Sequence, residues 1–296
     1  MKRRIITLLL FTLLVLGCRK RLDNFLFNPN NSITAYQLDT YAEGDNIGEE
    51  YKIVDSLIHI FTFPLIENGE SLSISAIYVG DLSKIATDSV ILYCHGNAGN
   101  MDTYWGRQKL LANVGGKNHF GVLQIDYPGY GLSTGKTTES NMYGSVQEAI
   151  KWLKNNGLTD DRFFMYGFSL GTAPVCELTS KNNNALKPSK IILEAPFASA
   201  EVMIQDAAVL NFPGSYFVNL KIDNAEEIKN VTQPLLWIHG TEDHFLSIKT
   251  HGEIVFKNYQ GMYGEAIRVP NGDHSTVPVT MGYANYIESI LKFLQQ

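Results

Sequence analysis

An α/β fold is what this sequence predicts: a mostly parallel central sheet with helices on both faces, antiparallel strands at the N-terminal side and a small helical lid. Three observations carry the expectation. From residue 89 onward, short continuous apolar runs such as Val90–Cys94 alternate with longer segments of helical period, the pattern of βα units whose strands are buried on both faces. Ahead of them, two segments alternate apolar and polar residues around Asn68-Gly69, a hairpin signal. The third is the run Phe163–Ser180, which reads as strand, glycine-flanked turn and helix.

The 296 residues suffice for one large α/β domain or two small ones. A hydrophobic content of 45% and a charged content of 18% mark a globular chain. The net charge is −6, with no long basic run outside the first residues, which argues against a nucleic-acid partner.

Met1-Lys2-Arg3-Arg4 is basic, and Ile5 to Leu16 is an apolar run too short to span a bilayer comfortably. Val15-Leu16-Gly17-Cys18 closes it and resembles the lipobox of bacterial lipoproteins, whose cysteine is lipidated after cleavage. An uncleaved anchor or a plain secretory signal are the alternatives. The expectation is a signal peptide over 1–17, lipidation at Cys18, a tether over 18–49 and a folded domain over 50–296, exported to a bacterial cell envelope and held on a membrane. Arg19-Lys20-Arg21 would then sit against anionic headgroups.

In the domain, Ser56–Pro64 and Ser71–Val79 are the antiparallel strands, joined by a loop longer than two residues. Strands follow at Val90–Cys94, Phe120–Ile125, Phe163–Tyr166, Ile191–Glu194, Leu235–His239 and Ala266–Val269. Helices are expected at Tyr104–Asn113, Glu139–Asn155, Thr172–Ser180, Ile248–Tyr259 and Met281–Leu294. Between Pro196 and Asp223 no strand is legible, but apolar residues are dense and Pro213-Gly214 marks a turn. This stretch, about 196–223, is read as the lid.

Gly167-Phe168-Ser169-Leu170-Gly171 fits G-x-S-x-G in its strand–turn–helix context, the nucleophile elbow. A serine on so tight a turn needs small neighbours two residues away on either side, which Gly167 and Gly171 supply. Its partners should follow in the order Ser, Asp or Glu, His. Asp243 lies just past the strand Leu235–His239, with Glu194 as the rival acid. His274, in a turn-rich loop before the last helix, is the base; the other histidines lie in or beside strands, in a helix, or next to the acid. The oxyanion hole is assigned to the N–H of Leu170 and to one from His95-Gly96-Asn97-Ala98-Gly99-Asn100, with Asn97 preferred and Ala98 held close. Cys94 and Cys176 are expected to be free buried thiols. With no C-x-x-C and no H-E-x-x-H, no metal and no cofactor are expected.

His95–Asn100, Asp126-Tyr127-Pro128-Gly129-Tyr130-Gly131-Leu132-Ser133, Gly167–Gly171, His239–Asp243 and Gly272-Asp273-His274 occur in an order and spacing that resemble the α/β-hydrolase superfamily. The first two look like its branch of small-lid serine hydrolases that includes the membrane-associated protein depalmitoylases. The resemblance covers about residues 50–296. It implies an α/β-hydrolase fold, a Ser169–Asp243–His274 triad and a structural role for Asp126. The chain departs from the pattern in His244-Phe245-Leu246, where relatives tend to carry Val or Ile and then Pro after the acid; a change is expected at the edge of the site.

The expected activity is cleavage of a carboxylic ester or thioester, in a small-molecule or acylated substrate, through an acyl-enzyme. A serine peptidase of related fold usually carries an extra domain that this chain has no room for. A non-catalytic binding module would be marked by loss of a triad member, and all three are present.

Overall fold

The structure is a computed structural model and describes residues 26–44, 47–207 and 218–296. The signal segment, Cys18 and the middle of the lid stretch, 208–217, lie outside the described residues.

Eight strands form one sheet in the order β1-β2-β4-β3-β5-β6-β7-β8. They are β1 (Ile58–Glu67), β2 (Glu70–Val79), β3 (Val90–Cys94), β4 (Gly121–Ile125), β5 (Phe163–Phe168), β6 (Lys190–Glu194), β7 (Leu235–Gly240) and β8 (Gly264–Val269). β1 pairs antiparallel with β2, and β2 with β4. The pairs from β4 through β8 are parallel.

The hairpin is tighter than the sequence suggests. β1 runs on through Pro64 to Glu67, so the loop is the two residues Asn68 and Gly69. Both have positive φ, 50° and 83°, as a tight type I′ hairpin demands. Pro64 reads as a strand end, but β1 is the sheet's edge, where a missing N–H breaks no ladder.

Eight α-helices are described: α1 (Trp105–Ala112), α2 (Glu139–Asn155), α3 (Thr172–Lys181), α4 (Ala200–Ala207), α5 (Asn224–Glu227), α6 (Gly252–Asn258), α7 (Val277–Met281) and α8 (Tyr283–Gln295). α2 begins with a reciprocal cap: Thr138 Oγ1 accepts the Asn141 N–H, and Asn141 Oδ1 accepts the Thr138 N–H. The expected last helix begins two residues later, at Tyr283, because Gly282 has a φ of 77° that no helix interior takes, and the short helix α7 precedes it. The expected helix from Ile248 starts at Gly252, after a turn whose His251 has non-helical φ and ψ.

Strand alternation builds a core on each face. Leu92, Cys94, Phe163 and Met165 pack with α2 and α3. Ile91, Tyr93, Phe164 and Tyr166 pack with α1 and α8. Both sets are buried, so neither β3 nor β5 shows a polar face in its sequence. Cys94 and Cys176 are free and buried, and burial pushes both thiols well above their ordinary pKa.

The chain leaves β3 toward β4 on one side and later crosses to β5 on the other. Cys94 and Gly167 stand side by side at the end of this register. Crevices at such a reversal, beyond the strands' C-terminal ends, are where α/β sheets hold ligands.

Candidate active site

Ser169 follows β5 with φ 52°, the left-handed conformation of an elbow. The two flanking glycines are sterically required. A Cβ on Gly171 would lie 1.9 Å from the Cys94 carbonyl oxygen, and one on Gly167 would lie 2.6 Å from that of Gly171. The turn is thereby pressed against the end of β3. Behind it, Thr172 Oγ1 donates to the Ser169 carbonyl at 2.6 Å and accepts from Asn224 Nδ2 at 3.1 Å. Leu170 follows in the first turn, where N–H groups have no intrahelical acceptor.

The acid and base loops follow β7 and β8, which are neighbours. They touch through backbone: the Glu242 N–H donates to the Gly272 carbonyl at 3.0 Å, and a Cβ on Gly240 would lie 2.1 Å from that oxygen. Asp273 ties them further, its Oδ1 accepting the N–H of His244 and of His274. These bonds hold its carboxyl below its ordinary pKa. His274 is thus set between Ser169 and Asp243. Its Nε2 lies 2.9 Å from Ser169 Oγ and its Nδ1 lies 2.8 Å from Asp243 Oδ2.

Asp243 is buried and acceptor-only. Oδ1 takes the N–H of Phe245 at 3.0 Å and of Leu246 at 2.6 Å. Oδ2 faces His274 and also the His239 Nε2, 3.2 Å away. Burial opposes ionisation, but the hydrogen bonds from His239, His274 and Leu246 outweigh it and hold the carboxyl well below the usual range. Sequence reading places His239 only as a strand-end histidine; nothing in His-Gly shows that the ring turns back to the acid four residues on.

Glu194, the rival acid, is engaged elsewhere. Its Oε1 pairs with Arg107 Nη1 at 2.5 Å, and Oε2 accepts from the hydroxyls of Tyr166 and Tyr286. Asp126 is buried and bonded to the Tyr36 hydroxyl at 2.6 Å. The His95 Nε2 faces it at 3.2 Å.

The loop after β3 is fixed from both sides. Tyr104 donates its hydroxyl to the carbonyls of Asn97 and Ala98 at 2.7 and 2.9 Å. Asn97 Oδ1 accepts from the Asn28 N–H and the Tyr130 hydroxyl, both at 2.8 Å. Asn97, and not Ala98, lines the narrow cleft beside Ser169, with Leu26, Leu170, Phe197, Met203 and Phe245. Phe245 also sets its ring 5.0 Å from that of His274, so the departure after the acid does fall at the site's edge.

Residues 26–39 do more than run onto the domain. Leu26 is buried in the cleft, Asn30 bonds the Gly99 carbonyl through its N–H, and the N–H groups of Gln37 and Leu38 reach Asp102 Oδ1. This strap carries no periodic pattern, so its contacts leave no trace in the sequence. Among the described residues, no group of three or more His, Cys, Asp or Glu side chains could hold a metal ion.

A family model described as alpha/beta hydrolase fold matches residues 89–212. The solved esterase Pf2001 of Pyrococcus furiosus superposes with a TM-score of 0.64 over 90% of this chain and 98% of its own, at 14% identity. The fold is that of the α/β hydrolases. Est1E of Butyrivibrio proteoclasticus, solved with ferulic acid bound, shares this α/β-hydrolase fold at a TM-score of 0.59, 16% identity, 79% of this chain and all of its own. Among curated relatives, human alpha/beta hydrolase domain-containing protein 17B is 29% identical over 210 residues, 70% of this chain and 66% of that protein. Alpha/beta hydrolase domain-containing protein aho-3 of Caenorhabditis elegans is 28% identical over 208 residues, 69% of this chain and 57% of its own length. The chain therefore spans 57–66% of the length of these relatives, less than two thirds of each.

One histidine behind Asp243 contributes to acid stability. His251 is fully buried; its Nδ1 accepts the Ala198 N–H at 3.1 Å, so its proton sits on Nε2, 3.4 Å from Asp206. Burial lowers its pKa from 6.5 to about 4, with Asp206 opposing. Between those values the unfolded chain binds a proton there that the folded chain does not. The contribution is full above pH 6.5 and is lost as pH falls toward 4, a span worth about 3 kcal/mol. Urea midpoints at pH 7 and pH 4.5 should differ less in His251→Gln than in wild type; an equal difference would refute the assignment.

Proposed function

We propose that the chain is a serine hydrolase that cleaves a carboxylic ester or thioester through an acyl-enzyme. The observation that carries the reading is His274 within hydrogen-bond distance of both Ser169 Oγ and Asp243 Oδ2, with the serine on a left-handed elbow. In this mechanism His274 takes the serine proton as Oγ attacks the carbonyl, and the N–H groups of Leu170 and Asn97 hold the oxyanion. His274 then protonates the leaving group, and water, activated by the same ring, releases the acid. Asp243 fixes the ring's tautomer and balances the imidazolium. An ester or thioester is favoured over a peptide because the side chains around the cleft beside Ser169, Leu26, Leu170, Phe197, Met203 and Phe245, are apolar; the cleft itself is only about 10 Å³, so an acyl chain would enter by displacing them. Nitrophenyl esters of rising chain length, run beside short peptides, test this: turnover of peptides alone would overturn it. The esterases and the domain-containing proteins matched above fit the same reading.

The domain is further proposed to sit on a bacterial membrane through a lipid on Cys18. The motif Leu16-Gly17-Cys18 after an apolar run supports this. Cys18→Ser should move the protein from the membrane to the soluble fraction of fractionated cells; unchanged membrane recovery would count against a lipid at that position.

A further inference from the structure

A second cavity, of about 440 Å³, shares Asn97 with the cleft beside Ser169. Phe168 and Ser275, the neighbours of Ser169 and His274, line it, as do Arg107, Tyr104 and Glu43. The histidine that protonates a leaving group must face it, and this cavity, bordered by the residues next to Ser169 and His274 though not by those two, is placed to take that group.

Arg107 gives the cavity its chemistry. It is only 5% exposed, and its guanidinium stacks on the Phe168 ring at 4.2 Å. The Phe168 ring lies 5.2 Å from that of His274. Nη1 bonds Glu194 and, at 3.4 Å, Tyr286; among the described residues the guanidinium donates no other hydrogen bond. A guanidinium has five N–H groups, so a buried side chain that lines the cavity keeps donors unused. Its charge is already matched by Glu194, and Glu43 adds an exposed carboxylate at the same cavity. Unused donors without net positive charge suit a neutral acceptor oxygen, and Glu43, whose Oε2 accepts the Tyr41 hydroxyl at 3.3 Å, has capacity left to accept from an N–H or O–H beside it. A carboxylate suits them poorly.

We infer that this cavity is a leaving-group subsite for an uncharged, hydrogen-bonding alcohol or thiol, such as one bearing an amide, and that Arg107 is its specificity-determining residue. The inference rests on the hydrolase reading above.

Three butyryl thioesters test it, with N-acetylcysteamine, pentane-1-thiol and 4-sulfanylbutanoate as leaving groups. Wild type should favour the amide over the alkyl thioester by about tenfold in kcat/KM, chiefly through KM. Arg107→Met with Glu194→Gln, which leaves no buried charge unpaired, should erase that ratio while keeping turnover of the alkyl thioester. Glu194→Gln alone should raise turnover of the carboxylate thioester, because it frees the charge of Arg107. An amide-to-alkyl ratio equal in wild type and double variant overturns the subsite.

A probe that needs no turnover checks the same point. N-acetylethanolamine should slow labelling of Ser169 by a fluorophosphonate, and pentan-1-ol should not. Labelling slowed equally by both overturns the subsite alone. Absence of labelling and of turnover overturns the hydrolase reading, and this subsite with it.

Discussion

Ser169→Ala should lower kcat by about 10⁵–10⁶-fold and abolish labelling by a fluorophosphonate, while leaving the fold intact. Alanine at φ 52° is as strained as serine, so the backbone cost does not change. The lost contact is one hydrogen bond, from Oγ to a His274 ring whose side chain is 16% exposed and can reach water. Unfolding free energy should therefore move by no more than about 1 kcal/mol. Ser169→Gly should be equally inactive yet more stable than Ser169→Ala, by about 1 kcal/mol, because glycine alone is at ease with positive φ. Turnover near wild type in either variant would sink the assignment of Ser169. Two inactive variants of which alanine is the more stable would instead refute the strain argument.

That the elbow could be read from sequence follows from sterics that act within a few residues. Gly167 and Gly171 are demanded by contacts with Gly171 and Cys94 that any such turn makes, so the requirement is written into a pentapeptide. Strands β3 to β7 were legible for a related reason: burial on both faces leaves continuous apolar runs with sharp ends. The hairpin loop was misjudged because Pro64 looks like a terminator, and only its place on the edge strand makes it harmless. What sequence could not show lies between distant segments. Leu26 in the cleft, Tyr36 on Asp126 and Asn28 on Asn97 each join residues at least 69 apart. An irregular strap has no period to betray which side chains point inward. Arg107 was hidden differently: on a helix of wholly buried residues it breaks no pattern, and only the position of Glu194 reveals its use.

Asp243→Asn should cost about 10⁴ in kcat, a larger loss than its distance from the bond being cut suggests. Four donors surround this carboxylate: the N–H groups of Phe245 and Leu246 on Oδ1, and His274 and His239 on Oδ2. An amide has one oxygen. If that oxygen serves the backbone N–H groups, the NH₂ faces His274 and forces its Nδ1 to accept. The ring proton then moves to Nε2, where it points at Ser169 and cannot receive the serine's proton. If the oxygen turns to the histidines instead, the NH₂ confronts two N–H donors and the loop must shift. Either orientation disables the base or unfastens its support. The substitution should also flatten acid denaturation. A carboxyl held well below its ordinary value stabilises the fold fully above its unfolded pKa, about 4, and loses that contribution as pH falls through the folded value. As pH falls below about 4, wild type should therefore progressively lose stability that Asp243→Asn has already lost at pH 7. Steady-state rates and urea midpoints across that range measure both effects. A variant within tenfold of wild-type kcat would return the acid's role to Glu194, at the cost of explaining how a carboxylate bound to Arg107, Tyr166 and Tyr286 could also reach His274.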